Sequence, residues 1–526
     1  MPNYLRLPLA LGVAVLVLLS GCSTTTVAVD PLKLPAQSDQ SPVVVSVTAN
    51  TGEIRGFDRI TLTRVAPPLK AGESAAPVEN FILEQVVPGM ARDTSLFIGA
   101  LPPGEYQFSS FDDTKTRKTL NLLGSDELGH FSVHLNKRVD LGRLLLTPVN
   151  ANVVFGRSAR AGSNQTLIQR FSPAHAALFA AEVESGWNLP VPKDGFEQYA
   201  LSRPVGADCA TERADGSVVA ASRLGSVLVR SPAGRWNVVR GPGIESLLCV
   251  TPVQLPDAEL LAVGEFGTLL RKPPGVNALL PVDTGDLPPG NLLRIYGNAE
   301  AGWFVAHQHG QEIKLFHSAK LEAGSWTVLR KESIAFDMWR GANSFWMWKT
   351  DAGLAYSVST GPLRFLDFKT NQWTERATPG NDRLVALTVD PTGTMGVLTS
   401  PGGGFAGIFA GAFVTRDQAA SWQPVNTPFK VKVVPVQRTA DGTMLMNGGV
   451  FGASELQMSK DEGKTWTVQG KFELGRQLLV LKSGELLDLD LGQYGLFSLS
   501  HSTDMGKTWK MEYSNFDRRA YEAQKK

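Results

Sequence analysis

An eight-residue stretch near the end of the chain occurs twice, and it constrains the fold more than any other feature. Ser459-Lys460-Asp461-Glu462-Gly463-Lys464-Thr465-Trp466 and Ser502-Thr503-Asp504-Met505-Gly506-Lys507-Thr508-Trp509 both read S-x-D-x-G-K-T-W. An Asp in a tight turn accepts hydrogen bonds from backbone N–H groups just ahead of it, and Gly enters the left-handed region without steric cost. Ser and Thr hydroxyls tie the two arms of the turn, and Trp buries a large apolar surface beneath it. Weaker copies align upstream. The stretch from Thr415 to Trp422 keeps Asp and Trp but loses the Gly, and Phe368 to Trp373 is shorter. Ser318 to Trp326 ends in Gly324-Ser325-Trp326, and Ser231 to Trp236 has the Gly and Trp without the Asp. Tryptophans 236, 326, 373, 422, 466 and 509 are separated by 90, 47, 49, 44 and 43 residues, so the first interval holds two repeats. The copy without a Trp runs from Ala262 to Arg271, ahead of Pro273-Pro274-Gly275.

Each copy follows one plan: a turn, a short apolar strand, a Gly-centred turn, a second strand, then the octapeptide. Ala214-Asp215-Gly216-Ser217-Val218-Val219-Ala220, Ala440 to Met446 and Lys482 to Leu487 are examples. Four-stranded units of roughly 40–50 residues are what β-propeller blades require. Seven copies predict a seven-bladed propeller over residues 196–513, with six or eight blades the alternatives if one weak copy is misaligned. A blade cannot bury both faces alone, so the ring has to close. The stretch Gln198 to Arg203 is the candidate closing strand beside the last blade. The octapeptide resembles the Asp-box (BNR repeat) of sialidase-type propellers. That resemblance implies a hairpin clasp at the blade periphery, so Ser459, Asp461, Gly463 and Trp466, with Ser502, Asp504, Gly506 and Trp509, are expected to be structural. A binding surface is then expected on the loops opposite the boxes. Arg223 to Ser231 and Ala262 to Arg271 resemble a blade of photosystem-assembly-factor-like propellers, whose members are binding scaffolds.

The N-terminus carries an address. Arg6 precedes an apolar run from Leu7 to Leu19, shorter than the ~20 residues that span a bilayer, so it reads as a signal peptide over residues 1–21. Leu19-Ser20-Gly21-Cys22 resembles the bacterial lipobox. The resemblance implies that Cys22 is acylated, becomes the mature N-terminus and anchors the chain to a membrane. Ser23 follows rather than the Asp of inner-membrane retention, which points to the outer membrane. Residues 22–44 are polar and punctuated by Pro31 and Pro35, and read as a flexible tether. From Val43 the pattern turns to short strands: Val43 to Val47, Ile60 to Arg64, Ser95 to Ile98, Tyr106 to Phe108, Phe131 to Val133 and Leu141 to Leu146. A β-sandwich over residues 45–150 accounts for them. Gly99-Ala100-Leu101-Pro102-Pro103-Gly104-Glu105-Tyr106 resembles the hairpin turn of carboxypeptidase-regulatory-like and Ig-like domains, which implies a spacer or adhesion module. Residues 151–195 read as a connector with one helix opening at Ser172-Pro173, and residues 514–526 as a C-terminal tail. The fold class is therefore all-β, an Ig-like sandwich followed by a propeller.

Chemistry is harder to place. The charge is balanced, 51 Lys and Arg against 50 Asp and Glu, which argues against nucleic acid as a partner. Ser202-Arg203-Pro204 and the stretch Asp215 to Arg223 resemble the arginine motifs of sialidases, which would make Arg203 and Arg223 carboxylate-binding residues of a glycoside hydrolase. The aromatic and Ile of the first motif are absent, and Tyr494 has no matching Glu. Cys209 and Cys249 lie about one repeat apart, compatible with a disulfide between equivalent strands of neighbouring blades or with two buried thiols. His307-Gln308-His309 puts two imidazoles on one strand face near His317, without the further ligands of a metal site. Trp346-Met347-Trp348 puts two indoles on one strand face, either core or a stacking platform for a sugar or peptide ring. Gly402 to Gly407 lacks the Lys and helix of a phosphate loop. No cofactor or metal is expected. The best-supported function is a lipid-anchored envelope protein whose propeller binds a protein or glycan without catalysis, the alternative being a sialidase-like hydrolase.

Overall fold

The computed structural model of the protein describes residues 23–515 apart from 36, 52–56, 67–76, 115–116, 123–127, 150–151, 162, 191–194, 336–342, 401–409, 429–430, 451–452, 473–475 and 491–496. Cys22, Trp339, Gly402 to Gly407 and Tyr494 fall outside the described residues.

Ten strands build the N-terminal part: β1 (Ser23–Val27), β2 (Ser41–Ala49), β3 (Arg59–Arg64), β4 (Val78–Glu84), β5 (Thr94–Leu101), β6 (Gly104–Asp113), β7 (Lys118–Asn121), β8 (Phe131–Val133), β9 (Val139–Val149) and β10 (Asn152–Arg157). They form two layers. One sheet has the order β1-β4-β3-β6-β7 with β8 also on β6, and the other has the order β10-β9-β2-β5. Between them lies a core of Val43, Val45, Val47, Ile60, Leu62, Phe97, Phe108, Phe111 and Phe131. Tyr106 caps the corner between β5 and β6, its hydroxyl donating to the Pro102 carbonyl at 2.7 Å. Because β5 and β6 belong to different sheets, Pro102-Pro103-Gly104 carries the chain from one layer to the other instead of closing a hairpin.

Two segments differ from the sequence expectation. The tether expected over residues 22–44 is, from Ser23 onward, part of the sandwich. β1 pairs in parallel with β4 from Ser23↔Val78 to Val27↔Ile82. Val29 bridges Ala100, and Asp30 accepts from the Leu32 N–H and bonds His175 at 3.0 Å. A polar, Thr-rich sequence forms an edge strand as readily as a leash, and partner strand β4 lies too far along the chain to be read locally. The connector expected over residues 151–195 holds β10 and two α-helices, α1 (Gln165–Phe171) and α2 (Pro173–Ala176), among its described residues, and a third helix, α3 (Phe196–Ser202), follows it. The last replaces the expected closing strand. Phe196, Tyr199, Ala200 and Leu201 are its buried residues, a helical spacing that puts one face inward.

Seven four-stranded antiparallel sheets follow among the described residues, each made of consecutive strands, over 208–240, 247–281, 291–333, 345–376, 383–424, 431–471 and 476–514. First strands of successive sheets approach one another, so they line the axis. Alternation along a strand fills the spaces between sheets. In the strand Ala258–Gly264, Leu260 and Ala262 pack towards the first sheet, whereas Leu261 and Val263 pack towards the third. The same division repeats around the chain until Val218, Ala220 and Leu228 of the first sheet meet Leu487, Leu489, Phe497 and Leu499 of the last. The sheets thus close a propeller-like ring, and among the described residues no strand is shared across its seam.

In each sheet the first-to-second and third-to-fourth turns share one end of the ring, and the second-to-third turns occupy the other. The sandwich sits on the second-to-third turns of the first two sheets. Leu145 of β9, Phe196 and Leu201 of α3, Leu224 and Ile244 form one apolar contact. Val44, Leu96, Ile168, Phe171 and Phe266 form a second. This explains why β2, β5 and β9 are buried along nearly their whole length: both faces of their sheet are covered.

Candidate functional site

The two boxes are built alike. Asp461 Oδ1 accepts from the Thr465 N–H at 2.8 Å and from the Ser459 hydroxyl at 2.8 Å, while Oδ2 accepts from the Thr465 hydroxyl at 2.6 Å. Asp504 repeats this with Thr508 and Ser502 at 2.9, 2.8 and 2.6 Å. Gly463 and Gly506, at φ 80° and 86°, donate their N–H groups to Ser459 and Ser502. The hydrogen bonds from Thr465 and Thr508, hydroxyl first and then backbone, pull the Asp461 and Asp504 carboxyls down to about 2. The indoles reach to the preceding sheet. Trp466 donates to the Asn426 carbonyl at 2.8 Å, Trp422 to Ala377 at 3.1 Å and Trp326 to Thr284 at 2.8 Å. In the first sheet Trp236 donates to the Glu512 carboxylate of the last sheet at 3.1 Å. Both oxygens of each carboxylate are thus engaged by hydrogen bonds from within its own clasp.

The two arginines of the hydrolase reading do not converge on an open carboxylate site. Arg223 is 3 % exposed. Its guanidinium meets Asp93, which immediately precedes β5, at 3.2 Å and donates to the Val205 carbonyl at 2.9 Å. Arg203 lies over the Tyr199 ring, 5.5 Å from its centroid, and donates to the Ser514 carbonyl at 3.4 Å.

Asp93 belongs to a buried polar junction that sequence reasoning missed. Its backbone N–H donates to Glu265 Oε1 at 2.5 Å, and the Thr94 hydroxyl donates to Glu265 Oε2 at 3.0 Å. Arg92 spans from Asp93 at 2.9 Å to Asp208 at 3.0 Å, and Arg143 of β9 meets Glu245 at 2.9 Å. Burial opposes the Asp93 charge, yet the Arg223 and Arg92 guanidiniums hold its carboxyl below the usual carboxylate range. Burial, and then the Asp93 charge, push Glu265 up to about 7. A faint signal existed: Arg223-Leu224-Gly225 and Glu265-Phe266-Gly267 occupy the same turn in adjacent repeats. Leu224 and Phe266 stand at φ 54° and 57°, a region bulky residues avoid. The sandwich packed on them supports that conformation.

Trp346 and Trp348 lie on the first strand of the fourth sheet, half-buried against Phe365, Leu384 and Val397 in the space before the fifth. The Trp348 and Phe365 rings meet edge-on at 6.0 Å. Their shared face is thus part of the packing between sheets. The histidines separate. His307 is buried with Nε2 on the Pro288 carbonyl at 3.0 Å, His309 is exposed, and His317 bonds the Ala301 carbonyl at 3.0 Å. Among the described residues no group of three or more His, Cys, Asp or Glu comes together as a metal cage. Cys209 and Cys249, on the first strands of the first two sheets, are joined by a disulfide with Cα atoms 4.9 Å apart.

An open cleft of about 370 Å³ lies between the fourth and fifth sheets, at the second-to-third turn of the fourth. Thr360, Gly361 and Pro362 form one wall, and Arg376, Asn381 and Arg383 the other. The second wall is stiffened by the Thr378 hydroxyl donating to the Asp382 carbonyl at 2.6 Å and by Asn381 at φ 57°. Arg376 is exposed, and Arg383 donates to Asn343 Oδ1 at 3.3 Å. Two cations, Arg376 and Arg383, and two carboxylates, Glu375 and Asp382, are among the residues that line this cleft.

No protein-family model and no curated protein matches the chain. Solved structures align over about half of it. YCF48 bound to a D1 peptide is 15 % identical, covering 51 % of this chain and 82 % of that one, with a TM-score of 0.36. A protein from Lactobacillus plantarum is 11 % identical over 59 % and 95 %, with a TM-score of 0.38. A candidate 6-phosphogluconolactonase from Bacteroides uniformis is 10 % identical over 59 % and 94 %, with a TM-score of 0.40. Likeness at this level assigns no function, so the ring rests on its own cores and topology.

Proposed function

We propose that this chain is a lipid-anchored protein of the bacterial outer membrane. In this reading an Ig-like sandwich carries a seven-bladed propeller, and the propeller is a scaffold that binds a protein partner on the end opposite its boxes. One observation carries the reading. That end of the ring already recognises folded polypeptide: in the first two sheets its turns hold the sandwich through Leu224, Phe266 and the Arg223–Asp93 and Glu265 contacts. The fourth sheet presents its equivalent turn, Thr360 to Pro362, to solvent beside a cleft with an exposed Arg376.

The test is affinity capture from envelope extracts with protein lacking residues 1–22. The scaffold reading expects a specific partner that is lost with Arg376→Glu and retained with Lys464→Glu in a box turn. Equal retention by both variants would refute the cleft as the binding surface. Turnover of a fluorogenic sialoside that disappears in Arg203→Ala would replace the scaffold with a hydrolase.

A further inference from the structure

We propose that the sandwich sits directly on the lipid surface, with the β1–β4 edge as its membrane-facing side; this rests on the reading of Cys22 as the acylated residue. The structural basis is the absence of slack. β1 begins at Ser23 and is held by five consecutive parallel pairs to β4. Beyond it, Ala28 donates to the Ile82 carbonyl at 2.9 Å, Ala100 donates to Val29 at 2.9 Å, and Asp30 is tied to His175. A lipid on Cys22 is therefore separated from a fixed strand by a single peptide bond, and the Ser23 end of β1 has to lie at headgroup level.

The chemistry of that edge agrees. Val27, Val29, Leu32 and Val78 are 41–50 % exposed, four of the thirteen large apolar side chains so exposed among the described residues. Scattered apolar residues need no explanation, but Val27 and Val78 belong to the β1–β4 pair next to the anchor, and Val29 and Leu32 follow directly along the chain. Ser23, Thr25 and Val27 project from the same face as their partners Val78, Asn80 and Ile82. The patch is neutral and hydroxyl-rich with an apolar lip, the composition of an interfacial contact and weak by itself. The acyl anchor makes the contact intramolecular, which lets a weak patch hold one orientation. β1 also ends its sheet, with no partner on its outer side among the described residues. Seating that edge on the bilayer blocks strand addition by other chains. The propeller packs on the other sheet, so it does not cover this edge.

The experiment uses full-length protein, processed in cells, in vesicles of phosphatidylethanolamine and phosphatidylglycerol. A fluorophore is placed at Thr25→Cys or, as control, at Lys464→Cys, and quenching by aqueous iodide is compared. The Thr25 label is expected to be quenched several-fold less than the Lys464 label. Val78→Asp, at an exposed position, is expected to return iodide access at Thr25 while the protein stays in the membrane fraction. A Thr25 label quenched as freely as the Lys464 label would overturn the seat, since β1 would then be a leash. Mass analysis of the N-terminal peptide reads the anchor separately. Absence of acyl groups on Cys22 would remove the anchor and the seat together, whereas acylation with a freely quenched Thr25 label removes only the seat.

Discussion

Ala419 stands where two of its counterparts have glycine. Its φ of 66° matches Gly463 and Gly506, and its N–H still donates to Thr415 at 3.1 Å while Asp417 accepts from Ser421. The clasp thus survives loss of its glycine at the cost of a strained residue. Ala419→Gly is expected to raise stability by about 0.5 kcal/mol, because relief of left-handed strain exceeds the added unfolded-chain entropy. Gly506→Ala is expected to lose about 1–3 kcal/mol, since a Cβ there would meet Leu456 Cδ2 at 2.3 Å. Thermal denaturation of the three proteins checks both signs. The Asp461 and Asp504 carboxyls give a second residue-scale prediction. Their folded values, about 2, lie below the ordinary 3.8, so their contribution is complete above about pH 4 and lost as pH falls towards 2. The urea midpoint should fall through that window in the native chain and fall less steeply in Asp461→Asn. The boxes were legible in the sequence because the bonds of their Asp carboxylates and first Ser hydroxyls close within eight residues.

At the scale of elements, legibility depended on how far the partners lie apart. The ladder of apolar strands and Gly turns is local, and its spacing anticipated where the sheets stand. The junction between sandwich and ring is not local: Asp93 and Glu265 are 172 residues apart. Nothing near either residue announces the pairing. β1 and α3 were misread for the same reason, because a Thr-rich edge and a seven-residue helix take their conformations from what they pack against. The junction carries its own pH dependence. Glu265 is raised from 4.5 to about 7 by burial and by Asp93, so its folded form holds a proton that the unfolded chain has released. The associated stability is complete below about pH 4.5 and is lost as pH rises through about 7. Glu265→Gln keeps an uncharged acceptor for the Asp93 N–H and turns an amide NH2 towards the Thr94 hydroxyl, which can accept from it. It should therefore flatten the decline in melting temperature between pH 4.5 and 7. A mutant whose melting temperature falls as steeply as that of the native chain would show that Glu265 is already ionised within the junction.

For the whole molecule the decisive feature is how the ring closes. The sequence pattern demanded closure and suggested a shared strand, but among the described residues each of the seven sheets is built of consecutive strands, and the seam between 208–240 and 476–514 is bridged by side chains. Beside its apolar cluster lies one buried ion pair. Arg230 donates to Glu512 Oε2 through Nε at 2.6 Å and to Oε1 through Nη2 at 2.8 Å, with side chains 4 % and 8 % exposed. The Trp236 indole shares the same carboxylate, in place of the backbone carbonyl used by Trp326, Trp422 and Trp466. Removing one member of such a pair leaves a buried charge uncompensated, so Glu512→Ala is expected to cost about 3–5 kcal/mol. Replacing both members with apolar residues removes the charge as well as the bond, so Arg230→Met with Glu512→Leu should recover most of that loss. Hydrogen exchange locates the effect. In Glu512→Ala, protection should fall first in the strands Ser226–Arg230 and Lys510–Ser514, while the middle sheets exchange as before. Uniform loss of protection around the ring would mean that the seam is no weaker than the other sheet interfaces, and that closure rests on the cluster of Val218, Leu228, Leu487 and Phe497.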